Sequence, residues 1–157
     1  MTSEEIIDKL KTDLGGKIKA IGATTPQRVW LEVDPADILE VTRVVHQDHG
    51  TRFNIASGME MEKGFEILYH FAYEHTGRDG VLASVRVVLG KEHPAVASIT
   101  PSVPAAEWIE REMHELLGIE FRNHPDMRPL LLAEDWPKDV HPLRRGRPWE
   151  GKVDLRI

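Results

Sequence analysis

Apolar and polar positions alternate along this chain in two distinguishable periods. Thr2-Ser3-Glu4-Glu5 has the form of a capping box, and Ile7, Leu10 and Leu14 then follow at helical spacing until Gly15-Gly16. Residues 17–21 and 29–33 alternate and predict strands. Asp34-Pro35 predicts a helix start, with Ile38, Val41 and Val45 as the buried stripe and His49-Gly50 as the stop. Phe65, Ile67, Tyr69, Phe71 and Tyr73 interleave with polar or smaller residues, and Val81, Ala83, Val85, Val87 and Leu89 repeat the pattern after a loop at 75–80. Two such runs joined by a short glycine-containing loop predict a hairpin. Residues 95–99 predict a shorter strand. Pro101 and Pro104 introduce a last helix, roughly 105–117, with Ile109, Met113, Leu116 and Leu117 on its apolar stripe and Gly118 as its C-cap. Glu107–Arg111 and Arg111–Glu115 are spaced as i,i+4 ion pairs on another face. Helices flanking a β series imply an α+β fold, an antiparallel sheet with helices packed mainly on one face.

Neither period continues beyond Phe121. Five of the ten prolines (125, 129, 137, 142 and 148) fall in residues 121–157 and favour an extended path. Leu130, Leu131, Leu132, Trp136, Leu143 and Trp149 are nevertheless too apolar for a solvated linker. The chain is therefore expected to divide into an α+β domain over 1–120 and an extended proline-rich C-terminal tail over 121–157. That tail should lie on a surface, its own or a partner's, with a partner expected from Trp136 onward.

Composition narrows the function classes. A length of 157 residues suits one domain, and 41% apolar with 29% charged residues suits a globular protein. No apolar run approaches the ~18 residues of a membrane span, so no direct span is expected. The start, MTSEEIIDKLKTD, resembles neither a signal nor a transit peptide. The absence of cysteine excludes disulfides, thiolate zinc and ordinary iron–sulfur ligation, and fits a cytoplasmic setting. A net charge of −6 argues against a nucleic-acid partner. The charge is uneven: residues 121–157 hold eight Lys/Arg against six Asp/Glu, leaving a mildly basic tail on an acidic body.

The densest chemistry lies at 110–128, EREMHELLGIEFRNHPDMR. His114-Glu115 begins like the zinc motif H-E-x-x-H, but Gly118 stands where the second histidine is required. His46 and His49 form another spaced pair, which as a polar helix end needs no metal. Glu110, Glu112 and Glu115 could supply paired carboxylates, yet beside Arg111 they read as a solvated or partner-facing charged surface. No nucleophile elbow, phosphate loop or cysteine nucleophile is present. No catalytic residue, cofactor or metal of its own is expected.

From Ser98 onward the chain closely resembles the 30-kDa subunit family of respiratory complex I and the related membrane-bound hydrogenases. The matching residues are Trp108, Glu110-Arg111-Glu112, Leu117-Gly118-Ile119, Phe121 and His124-Pro125-Asp126-Met127-Arg128. Leu131-Leu132, Glu134-Asp135-Trp136 and Pro142-Leu143-Arg144 continue the pattern, while the part before Ser98 matches more weakly. His114-Glu115-Leu116-Leu117-Gly118 departs from the Asp-Met-Phe-Gly turn usual in complex I. It looks more like subunits of energy-converting [NiFe]-hydrogenase, as does the short tail after Arg145. The resemblance implies a non-catalytic subunit in the hydrophilic arm of a membrane-bound, ion-translocating oxidoreductase. It implies a peripheral position on the cytoplasmic side of the cell membrane. The implied partners are a large [NiFe]-hydrogenase-like (49-kDa-type) subunit and a neighbouring iron–sulfur subunit. Expected docking residues are Trp108, Glu110, Arg111, Glu112, His124, Pro125, Asp126, Arg128, Trp136 and Arg144. Alternatives are the equivalent subunit of NADH:quinone oxidoreductase, a ferredoxin-linked relative, or a free-standing α+β binding module.

Overall fold

The structure, a computed structural model, describes residues 1–73 and 80–145. Helix α1 (Ser3–Leu14) opens with the expected capping box: Glu5 N–H donates to Thr2 Oγ1 at 3.2 Å and Thr2 N–H to Glu5 Oε2 at 2.7 Å. Its buried stripe is Ile6, Leu10 and Leu14, whereas Ile7 packs only partly against the core. Positions 6, 10 and 14 are spaced by four, which keeps them in one row along the helix. Asp34 caps the next helical stretch, its carboxylate accepting Ala36 N–H at 3.1 Å. That stretch is not a uniform α-helix. A 3₁₀ turn (Pro35–Asp37) leads into α2 (Ile38–Arg43), which widens into a π-turn over Val44–Asp48 before Gly50 turns the chain at φ +65°.

Five strands form the main sheet: β1 (Ile18–Thr25), β2 (Arg28–Val33), β3 (Arg52–Met61), β4 (Gly64–Tyr73) and β5 (Val81–Gly90), in the order β1-β2-β5-β4-β3. The alternating runs at 65–73 and 81–89 do pair antiparallel, although the residues that join them, 74–79, lie outside the described residues. The sheet is mostly antiparallel, with one parallel pair, β2 with β5. The chain leaves β2 through α2 and the β3–β4 hairpin before β5 returns beside β2 in the same direction. Strand β3 lacks a clean sequence signature because it is an edge strand. Only Ala56 and Glu60 are buried, and a register irregularity at Phe53/Ile55 breaks its alternation.

The odd-numbered residues of β2, β4 and β5 are buried beneath α1, α2 and the last helix, α3 (Glu107–Leu117). The even-numbered residues face the other side, which no helix covers among the described residues. Gly58 sits where α3 approaches β3. A Cβ there would fall 2.8 Å from Met113 Sδ and 2.9 Å from Leu117 Cδ1, so any larger residue would require those two side chains to shift.

The strand predicted at 95–99 is shorter, β6 (Ala95–Ala97). It does not join the main sheet but pairs in parallel with β7 (Glu120–Arg122). This small ladder fastens the segments before and after α3 to each other, and so fixes the surroundings of that helix.

Candidate functional site

Helix α3 carries the chemistry expected from the sequence, but most of it points inward. Glu110 is fully buried, which corrects the expectation of a solvated or partner-facing carboxylate. Its Oε1 accepts the Tyr69 hydroxyl at 3.1 Å and Ile99 N–H at 3.0 Å, and its Oε2 accepts the Ser98 hydroxyl at 2.6 Å. Burial pushes this carboxyl above its ordinary value, while the Ile99, Ser98 and Tyr69 hydrogen bonds pull it back. Burial, reinforced by the Glu110 charge, raises the Tyr69 phenol well above its own ordinary value. The register of β6 on β7 delivers Ser98 and Ile99 to the carboxylate. His124 lies 3.9 Å from Glu110 Oε2 without bonding it. Its Nε2–H donates to Glu107 O at 3.0 Å and its Nδ1 accepts Asp126 N–H at 3.1 Å.

Arg111 and Glu115 do not make the predicted pairs along their own helix. Arg111 is buried and donates to the carbonyls of Arg128, at 2.8 and 3.1 Å, and of Pro129, at 3.0 Å. Glu115 accepts three successive backbone N–H groups, from Leu130 at 2.8 Å, Leu131 at 2.7 Å and Leu132 at 3.4 Å. Prolines deny this stretch a partner strand, so side chains of α3 satisfy its backbone instead.

Residues 128–145 form a strap over α3, and its far end returns to close the helix. His141 Nδ1–H donates to Glu115 O, Leu143 N–H to Leu116 O, and Arg144 to Leu117 O at 2.7 Å and Gly118 O at 3.2 Å. Four carbonyls that a helix terminus normally leaves to solvent are thereby satisfied. Gly118 makes room, adopting φ +69° directly beneath His141 and Arg144. Arg144 also stacks on Phe65 at 5.1 Å, and Arg145 N–H reaches Glu60 at 2.5 Å. Through Arg145 the tail therefore lies on this chain's own helix, where a partner surface was expected from Trp136 onward. The Trp136 indole N–H is turned inward to Val140 O at 2.8 Å. Trp149 and the rest of 146–157 lie outside the described residues.

The chain bends after Pro125: Asp126 accepts Arg128 N–H two residues on, at 3.0 Å, and pairs with the Arg128 guanidinium at 2.6 Å. Arg128, through its side chain and its N–H, holds the Asp126 carboxyl well below the usual carboxylate range. Four expected docking residues keep an outward aspect. Arg128 is 83% exposed, Trp108 is 64% exposed, Pro125 is exposed, and Glu112 is half-buried beside Trp108. Ile55 and Leu131, 52% and 58% exposed, complete an apolar corner around a hollow of about 400 Å³. Ile55 was not foreseen, because it lies on the unrecognised edge strand. Glu60, Tyr69, Ser98 and His141 were also missed as partners of the site, and Glu115 was assigned to its own helix instead of the tail. No periodicity joins residues so far apart in sequence.

Metal chemistry finds no support in the described residues, which contain no group of three His, Asp or Glu able to hold an ion. His114 donates Nδ1–H to Ile119 O, closing its helix end. His46 bonds Thr51 O, and His49 bridges Asp13 and Tyr73, so the spaced pair does not converge.

A family model described as respiratory-chain NADH dehydrogenase, 30 Kd subunit, matches residues 31–153. Hydrogenase-4 component G of Escherichia coli (strain K12) is 30% identical over 144 residues, covering 90% of this chain and 26% of that protein. The NADH-quinone oxidoreductase C subunit of Methylobacterium sp. (strain 4-46) is 33% identical over 161 residues, covering 98% of this chain and 71% of the relative. Its counterpart in Rhodopseudomonas palustris (strain TIE-1) is 37% identical over 137 residues, covering 82% and 63%. The chain thus spans about a quarter of the hydrogenase component and 63–71% of these two oxidoreductase relatives. Among solved structures, a chain of the membrane-bound sulfane sulfur reductase (MBS), an archaeal respiratory membrane complex, superposes with a TM-score of 0.75 at 19% identity. That match covers 88% of this chain and 81% of the other, a likeness of fold.

Proposed function

The chain belongs to the respiratory-chain NADH dehydrogenase 30-kDa subunit family, and we propose that it is a non-catalytic docking subunit in the hydrophilic arm of a membrane-bound, ion-translocating oxidoreductase. The observation that carries this reading is the corner of Ile55, Trp108 and Leu131. These apolar side chains are held outward on a frame whose Arg111 and Glu115 are engaged internally. Exposed apolar clusters on a rigid, hydrogen-bonded base suit a permanent interface rather than a reaction centre. The partner in this reading is a large [NiFe]-hydrogenase-like subunit of the 49-kDa type, with an iron–sulfur subunit alongside. Within the 121–157 docking tail of the 1–120 body, residues 121–145 brace this chain's own α3 and offer Arg128 and Leu131 to the partner.

The His114–Gly118 turn supports an energy-converting hydrogenase as the host complex. The equivalent place in an NADH:quinone oxidoreductase is the second reading, favoured by the fuller coverage of the NADH-quinone oxidoreductase relatives. The large subunit encoded with this chain separates them: four nickel-ligating cysteines there select the hydrogenase. In either case the protein sits peripherally at the cytoplasmic face. No helix among the described residues is long and apolar enough to cross a membrane.

Trp108→Glu tests the docking reading. Truncating or charging a buried interface tryptophan costs about 2–4 kcal/mol of binding. The variant is expected to melt like wild type and to be absent from the membrane complex. Normal incorporation of the variant would overturn the assignment of this corner.

A further inference from the structure

The two edges of the sheet differ in how they are protected. Strand β1 carries two register irregularities, is followed at once by Pro26, and has Lys17 just before it and Lys19 within it in ion pairs with Asp37, Glu40 and Asp34. Such features keep an edge from pairing with another chain. Strand β3, at the other edge, is ten residues long, has neither proline nor lysine, and is uncharged from Phe53 to Met59. Along its outer side runs a groove whose other wall is α3. The groove consists of two adjoining hollows of about 400 and 310 Å³, both lined by Ile55, Ile109 and Glu112. Glu112 has no hydrogen-bond or ion-pair partner among the described residues. A strand whose outer main-chain groups meet no partner among the described residues, an apolar trough beside it and one carboxylate likewise unpaired there make a defined set of requirements for a ligand.

We infer that β3 is a strand-addition site: an extended segment of a partner subunit pairs with its free edge between Phe53 and Met59. Alternate apolar side chains of that segment enter the groove against α3, and one basic side chain meets Glu112. Main-chain pairing gives the affinity of such contacts, and alternate side chains give their specificity. This rests on the docking reading and names the form its partner takes. Neither a second copy of this chain nor a flat contact on the open sheet face meets all three requirements. The first would set the two Glu112 carboxylates against uncharged edges, and the second would leave the β3 edge unpaired.

Hydrogen exchange on the full chain, alone and in the membrane complex isolated through an N-terminal tag, tests the inference. The outward amides of 53–59 are expected to slow by about 100-fold or more on assembly. Ile55→Lys places a charge on the edge and is expected to cut recovery in the complex about tenfold or more without changing the melting temperature. Val88→Lys, on the open face of β5 and away from the edge, is expected to assemble normally. Incorporation with unchanged exchange at 53–59 would overturn strand addition while leaving the docking reading intact. Exclusion of Val88→Lys as well as Ile55→Lys would assign docking to the open face and overturn the inference. The same protection in the isolated chain, with a doubled mass, would make a second copy the occupant and overturn the partner assignment. A chain found in no complex at all would overturn both readings.

Discussion

Replacing the buried carboxylate of α3 tests how the site is held together. In Glu110→Ala, the Ser98 hydroxyl can turn to Thr100 Oγ1, 2.7 Å away, but the Tyr69 hydroxyl and Ile99 N–H lose their acceptor. Two stranded buried donors cost about 1–3 kcal/mol each, offset in part because the charge is no longer desolvated, leaving about 2–4 kcal/mol. For a chain of this size that is a fall in melting temperature of about 4–16 °C. Glu110→Gln behaves differently. Its carbonyl can keep both donors and its amide can donate to Ser98 Oγ, so it is expected within about 1 kcal/mol of wild type. The pH dependence has a definite sign. The folded carboxyl has its pKa raised, so its contribution is full below the ordinary glutamate range and is lost as pH rises through the folded value. Wild type should therefore lose stability relative to Glu110→Gln as pH rises. Urea titrations of the three proteins across about pH 4–8 measure both effects. A Glu110→Ala variant as stable as wild type would refute the reasoning. So would a Gln variant as unstable as Ala, or a wild-type advantage that grows with pH.

Gly118→Ala places a Cβ 2.5 Å from the His141 ring at a left-handed φ of +69°. It should destabilise by about 1–2 kcal/mol from backbone strain alone and loosen the strap, seen as faster exchange of Leu143 N–H. Glu115→Ala removes the acceptor for Leu130, Leu131 and Leu132 N–H, and proteolysis should then cut within 130–140 while the sheet stays intact. Arg128→Ala loses only an exposed pairing with Asp126. It should leave thermal melting nearly unchanged and weaken recovery in the membrane complex.

Much of the fold is written in local pattern. The capping box at Thr2, the alternation at 65–73 and 81–89, the Asp34 cap and the Gly118 stop each act over a few residues. Each is legible because helix and strand periods sort apolar side chains by face. The turn at Pro125 and Asp126 is of the same kind, since its hydrogen bond spans two residues. Edge strand β3 escaped this reading because little of it is buried, and burial is what imposes an alternation. The parallel pairing of β2 with β5 escaped it because neighbours in a sheet are chosen by the path of the whole chain.

Residue order is enough to establish that 110–128 is rich in charge, lacks a second metal ligand and a nucleophile, and leads into an apolar, proline-spaced tail. Where those charges go is settled only by the packed chain. Glu110 is buried because β6 and β4 bring it three donors. Arg111 and Glu115 serve the strap because prolines leave that backbone without a strand to pair with. Buried polar groups must find partners, and in this chain those partners lie up to 85 residues away, beyond the reach of any sequence period.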